Sequence, residues 1–70
     1  MNDGRKALAE RMMRRMKDMG LSITDLSRES GIGFELMRRS LHGTREIKAP
    51  EFIQICRVLD LSLEDFKEVV

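Results

Sequence analysis

Residues 20–43, GLSITDLSRESGIGFELMRRSLHG, decide the fold. Gly20 ends the segment before it, because glycine takes the left-handed conformation of a helix stop with no Cβ penalty. Ser22-Ile23-Thr24-Asp25 then sets a hydroxyl three residues before an acid. At that spacing each side chain satisfies an orphan backbone N–H of a helix start. The helix it opens runs to Ser30. Gly31-Ile32-Gly33 leaves room only for a tight connection, with Gly31 suited to a left-handed turn and Gly33 acceptable as an N-cap. The next helix runs from Phe34 to His42 and stops at Gly43. Two short helices joined by a glycine-centred turn follow from this stretch alone.

Upstream, Leu8, Met12, Met16 and Met19 recur at helical spacing between Arg5 and Met19, with charged residues on the other faces. Downstream, Thr44 to Lys48 has no periodicity and reads as a loop. Pro50 then opens a fourth helix at the position where its missing N–H costs nothing. Phe52, Ile55, Cys56 and Leu59 form the apolar stripe of that helix. Ser62-Leu63-Glu64-Asp65 repeats the capping pattern and begins a last short helix containing Phe66. The expectation is an all-α fold of five short helices, at about 5–19, 23–30, 34–42, 50–59 and 63–68, forming one domain over residues 1–70.

Composition agrees. The chain has 41% hydrophobic and 36% charged residues and lacks tryptophan and tyrosine, so its six methionines must supply much of a thin core. The formal charge is only +1, so any polyanion partner requires basic residues gathered on one face. Cys56 is the one cysteine and His42 the one histidine, which leaves no disulfide framework and no metal set within the chain. No apolar run reaches the roughly 18 residues of a membrane span, and no apolar leader precedes the first charged helix. No nucleophile–base arrangement or phosphate-cradling loop is present. The reading is a cytoplasmic, non-enzymatic protein without cofactor, metal or small-molecule ligand. Cys56 reads as an inert core thiol, and His42 as a complement to a helix C-terminus or a phosphate contact.

The third helix has the most chemistry. At 100° per residue, Phe34, Glu35, Arg38, Arg39 and His42 share an arc of about 140°, with Leu36, Met37, Ser40 and Leu41 opposite. A guanidinium pairs bidentately with guanine O6 and N7, a carboxylate accepts from the cytosine amino group, and a phenyl ring can touch a thymine methyl.

From Leu8 to Phe66 the sequence resembles the helix-turn-helix domain of the lambdoid phage repressor and Cro family, the Xre-like regulators. The matching residues are Gly20-Leu21-Ser22, Asp25-Leu26-Ser27, Gly31-Ile32, Met37, Arg39 and Gly43. They continue through Ile55 to Leu59 and Leu61-Ser62-Leu63-Glu64-Asp65-Phe66, in register without a gap. The family prefers glutamine near position 23 and aliphatic residues at 30 and 40, where this chain has Ile23, Ser30 and Ser40. The Ser40 hydroxyl is expected to find a backbone carbonyl.

The resemblance implies that helices two and three read double-stranded DNA. Gly33, Phe34, Glu35, Arg38 and Arg39 would then meet bases. Ser22, Ile23, His42, Thr44 and Arg45 would meet phosphates, with Lys48 and Arg5 as further candidates. It also implies a homodimer through the C-terminal region, where Leu63, Phe66, Val69 and Val70 are the apolar candidates. Such a dimer matches a pseudo-palindromic operator. The expected function is a sequence-specific regulator, a repressor acting by occlusion. The alternative is a protein-interaction module, an antirepressor or adaptor that keeps the fold without binding DNA; Ile23 and Phe34 favour it.

Overall fold

A computed structural model describes residues 4–67. It contains four α-helices, α1 (Gly4–Met19), α2 (Ile23–Ser30), α3 (Phe34–Leu41) and α4 (Ala49–Leu59), followed by a single 3₁₀ turn at Leu63–Phe66. No strand occurs among the described residues. The fifth element is therefore not the α-helix over 63–68 that the sequence suggested. Ser62 and Asp65 cap one another there, Ser62 N–H donating to Asp65 Oδ2 at 2.8 Å, but the turn ends in the i→i+3 pattern. His42 likewise ends α3 as its C-cap rather than extending it.

The helix ends follow local chemistry. Gly20, at φ +70°, closes α1 with Leu21 N–H bonded back to the Met16 carbonyl and Gly20 N–H to that of Lys17, a Schellman motif. Gly43 does the same for α3, through Thr44 N–H to Arg39 and Gly43 N–H to Ser40. α4 ends in the same way on Asp60, the one non-glycine residue at positive φ among those described. At the start of α2 the capping box is complete: Ser22 Oγ accepts from Asp25 N–H at 3.1 Å, and Asp25 Oδ2 accepts from Ser22 N–H at 3.0 Å.

α2 packs on α3 and α4, and α1 packs on the same pair. Met12, Leu26, Met37, Ile55 and Leu59 are fully buried at the centre, each contributing about 1.5–3 kcal/mol by its removal from water. The α1 stripe is Leu8, Ala9, Met12 and Met16, with Ala9 buried and Met19 exposed on the last turn. Phe66 is 4% exposed and sets its ring against Phe52, centroids 5.1 Å apart at 57°. Two arginines of α1 hold this end: Arg15 Nε donates to the Leu59 carbonyl at 2.8 Å, and Arg11 pairs with Asp65 at 3.2 Å. No helix among the described residues is long and apolar enough to cross a membrane.

Candidate nucleic-acid interface

The turn between α2 and α3 is fixed by two serine hydroxyls. Ser27 Oγ donates to the Ile32 carbonyl at 2.5 Å, while Ser30 Oγ accepts from Ile32 N–H at 3.3 Å. Ser30 is buried, so a serine suits this position by holding the loop rather than by filling apolar space. Gly31 stands at φ +78° and its N–H closes α2 on the Ser27 carbonyl. Ile23, where the family favours glutamine, packs half-buried against the core.

α3 is anchored from below by Met37, Ser40 and Leu41, all buried. Ser40 Oγ donates to the Leu36 carbonyl at 2.8 Å and accepts from Arg45 Nη1 at 2.8 Å, which satisfies a serine in an apolar arc. The opposite face carries Phe34, 49% exposed, with Glu35, Arg38 and Arg39 beside it. Glu35 and Arg38 are paired, and the Arg38 hydrogen bond holds the Glu35 carboxyl below its ordinary range. Arg39 has no hydrogen-bond or ion-pair partner among the described residues. Leu36 lies on the arc expected to be apolar, yet it is 41% exposed beside Pro50 and Gln54. The outer face of α3 thus offers one guanidinium without a hydrogen bond, one ion-paired couple and the Phe34 ring, with Leu36 exposed at the edge toward α4.

The residues expected at phosphates divide into two groups. Ser22 and Thr44 spend their hydroxyl protons within the chain, Ser22 on Asp25 Oδ2 at 2.9 Å and Thr44 on the Arg39 carbonyl at 3.1 Å. A phosphate oxygen needs donors, so these hydroxyls serve the helix ends instead. Arg45 differs most from expectation. It is only 17% exposed at its side chain, and Nη2 reaches Glu51 Oε2 at 2.8 Å. It straps the loop after α3 to the first turn of α4 and is not presented as a phosphate donor. The Arg45 hydrogen bond is the main cause that lowers the Glu51 carboxyl below its usual value.

His42 and Lys48 are exposed on either side of that loop, and Lys48 also caps α4, its N–H donating to Glu51 Oε1 at 3.0 Å. Arg5 is exposed on the first turn of α1. Lys6 lies directly against Gly43, so close that a Cβ there would come within 2.9 Å of its Cγ. The start of α1 is therefore brought to the loop that follows α3. Glu51 escaped the sequence reading because nothing in helical periodicity pairs a loop arginine with the next helix.

Of the apolar residues expected at a dimer contact, Phe66 belongs to the core, since its ring is covered by Phe52 and its neighbours. Leu63 is 78% exposed and Ile53 56% exposed. Both flank a groove of about 590 Å³ that Phe52, Cys56 and Leu61 also line. Val69 and Val70 lie outside the described residues. Burial raises the Cys56 thiol above its ordinary range, as befits an inert side chain.

An anchored helix with a polar outer face, joined through a tight turn to a capped helix behind it, defines a helix-turn-helix DNA-binding domain. The chain belongs to the Cro/C1-type helix-turn-helix DNA-binding domains, whose family model matches residues 11–70. That membership points to a non-enzymatic DNA-binding regulator. No curated protein matches the chain. No solved structure matches it either.

Proposed function

We propose that the chain is a sequence-specific transcriptional repressor of the cytoplasm that binds a pseudo-palindromic operator as a homodimer and excludes polymerase by occupancy. The carrying observation is the outer face of α3, where Phe34, Glu35 and Arg39 stand exposed and Arg38 partly exposed on a helix anchored by the buried Met37, Ser40 and Leu41. Arg38, Arg39 and Glu35 read base edges, Phe34 meets a thymine methyl, and the Gly33 backbone lets α3 approach the groove closely. Lys48, His42 and Arg5 are the side chains assigned to phosphates. At the start of α2, Ile23 contributes its main-chain N–H rather than its side chain, since the first turn of a helix has N–H groups without intrahelical acceptors, while the Ser22 N–H is held by Asp25 Oδ2. Asp25 opposes a phosphate there, and Arg28, 2.8 Å from it, offsets that charge. The dimer forms through Leu63 and the groove beside Ile53. No small-molecule sensor is required, so abundance sets occupancy.

Selection from a random duplex library at low and physiological salt tests this reading. The expected result is a pseudo-palindrome with half-sites about one helical turn, roughly 34 Å, apart. A folded protein that binds no duplex even at low salt would overturn it. The second reading, a protein-interaction module, is favoured by one observation: Phe34 and Leu36 are both large, apolar and exposed on α3. Salt separates the two, because binding through several phosphates weakens steeply with ionic strength and an apolar contact does not.

A further inference from the structure

Glu35 and Arg38 stand one helical turn apart on the outer face of α3, and their pairing is lopsided. Arg38 Nε lies 3.2 Å from each Glu35 carboxylate oxygen, and Arg38 Nη2 donates to Glu35 Oε1. Nε and Nη2 make up one edge of the guanidinium fork. The end-on edge, formed by Nη1 and the other Nη2 proton, has no partner among the described residues. Either edge of an arginine can grip guanine O6 and N7, so which one is free decides how the side chain meets a base.

We infer that Glu35 is a specificity-determining positioning residue: by holding the side edge of Arg38 it leaves only the end-on edge for guanine, so that the pair reads neighbouring G and C bases as one unit. This rests on the DNA-reading role proposed above. In the groove the Glu35 carboxylate retains lone pairs that accept from a cytosine amino group beside that guanine. The same carboxylate repels phosphate oxygens and so disfavours loose backbone contact by Arg38, a repulsive element that sharpens selection. Exposed pairs of this kind contribute little to folding in water. Their use arises when the groove excludes water and strengthens the charge-assisted hydrogen bonds. Arg39, adjacent and acting on Glu35 by charge but without a hydrogen bond to it, lacks this restraint.

The experiment selects duplexes from a random pool with the wild type, Glu35→Gln, Arg38→Ala and Arg39→Ala, and measures binding of each to mixed-sequence duplex. The wild type should enrich a guanine beside a cytosine. Arg38→Ala should reduce the guanine preference about tenfold. Glu35→Gln should reduce preference at both positions by a comparable factor while its binding to mixed sequence rises. Arg39→Ala should leave those two positions unchanged. Both paired side chains are exposed, at 62% for Glu35 and 43% for Arg38, so the variants should melt like the wild type. If the wild type selects a site and Glu35→Gln selects it with the same base weights, the coupling is overturned while DNA reading stands. If the wild type selects nothing, the reading beneath it fails and the inference fails with it.

Discussion

Arg45 bridges two elements that adjoin through their loop, donating from Nη1 to Ser40 Oγ and from Nη2 to Glu51 Oε2, both at 2.8 Å. The pair is largely withdrawn from water, with side chains 17% and 19% exposed. An arginine held in this way serves folding. Arg45→Ala should therefore cost about 1–3 kcal/mol of stability, because Glu51 and Ser40 are left without their donor. Denaturant titration measures that loss. Affinity for DNA measured across salt should keep its slope, whereas a phosphate contact would lower the slope by about one. A shallower slope with unchanged stability would return Arg45 to the phosphate surface.

The same pair predicts a response to pH. Arg45 lowers the Glu51 carboxyl, the Ser22 backbone hydrogen bond lowers that of Asp25, and the Ser62 backbone hydrogen bond lowers that of Asp65. A carboxyl with a depressed folded value contributes stability that is present above the unfolded value. That stability is lost as pH falls through the folded one. Unfolding should therefore become easier once pH drops below about 4, the ordinary carboxylate range. Glu51→Gln should cost clearly more stability at pH 7 than at pH 3. An equal cost at both values would mean that the Glu51 charge has no part in it.

Gly43 is constrained twice. Its φ of +76° disfavours any side chain, and a Cβ would stand 2.9 Å from Lys6 Cγ and 3.4 Å from Lys6 Cα. Gly31 shares the first constraint at φ +78° but has nothing within 4 Å. Ala at position 31 should cost about 1 kcal/mol, the ordinary penalty for the left-handed region. Gly43→Ala should cost more, and Lys6→Ala should recover part of the excess. Thermal melts of the four proteins decide it; equal losses at the two glycines would show that α1 yields freely.

Most of the backbone was legible because helix starts and stops are local events. Ser22 with Asp25, Gly20, Gly31, Gly43 and Pro50 each act within a few residues, so spacing alone reveals them. The last element is ambiguous in the sequence because Ser62 and Asp65 give the same capping signal whether an α-helix or one 3₁₀ turn follows. Met19 fits the α1 stripe by spacing yet stays exposed on its last turn. The site was less legible. Which arginine is open to a ligand depends on partners on another element: Arg45 and Arg39 are alike in the sequence, and only the position of Glu51 separates them. Ser40 was readable as a hydroxyl seeking a carbonyl, but not as the seat of the Arg45 guanidinium.

Arg39 differs from Arg38 and Arg45 in making no side-chain hydrogen bond or ion pair among the described residues, its guanidinium sensing Glu35 only through the charge, so its donors stay open for DNA in the proposed reading. Arg39→Ala should cost about 1–3 kcal/mol on the selected operator if its contact is bidentate to guanine. The loss on random duplex should be clearly smaller. Comparing the two affinities at one salt concentration gives the answer, and equal losses would move Arg39 from base reading to phosphate binding.

Leu63 and Phe66 stand three residues apart in the 3₁₀ turn but have opposite fates, 78% and 4% exposed. Phe66→Ala should remove core packing and cost about 3–5 kcal/mol, so its effect on assembly would be inseparable from unfolding. Leu63→Glu touches no buried contact and should leave the melting temperature of the monomer unchanged. If the groove edged by Leu63 and Ile53 is the two-fold contact, a carboxylate at position 63 meets apolar surface on the second copy, together with its own symmetry mate. Desolvation and like-charge repulsion then act together against association. Sedimentation should show a monomer at concentrations where the wild type is dimeric. On a two-half-site operator the variant should lose the cooperativity of paired binding while single half-sites are bound as before. A variant that still sediments as a dimer would place the contact on another face of the molecule.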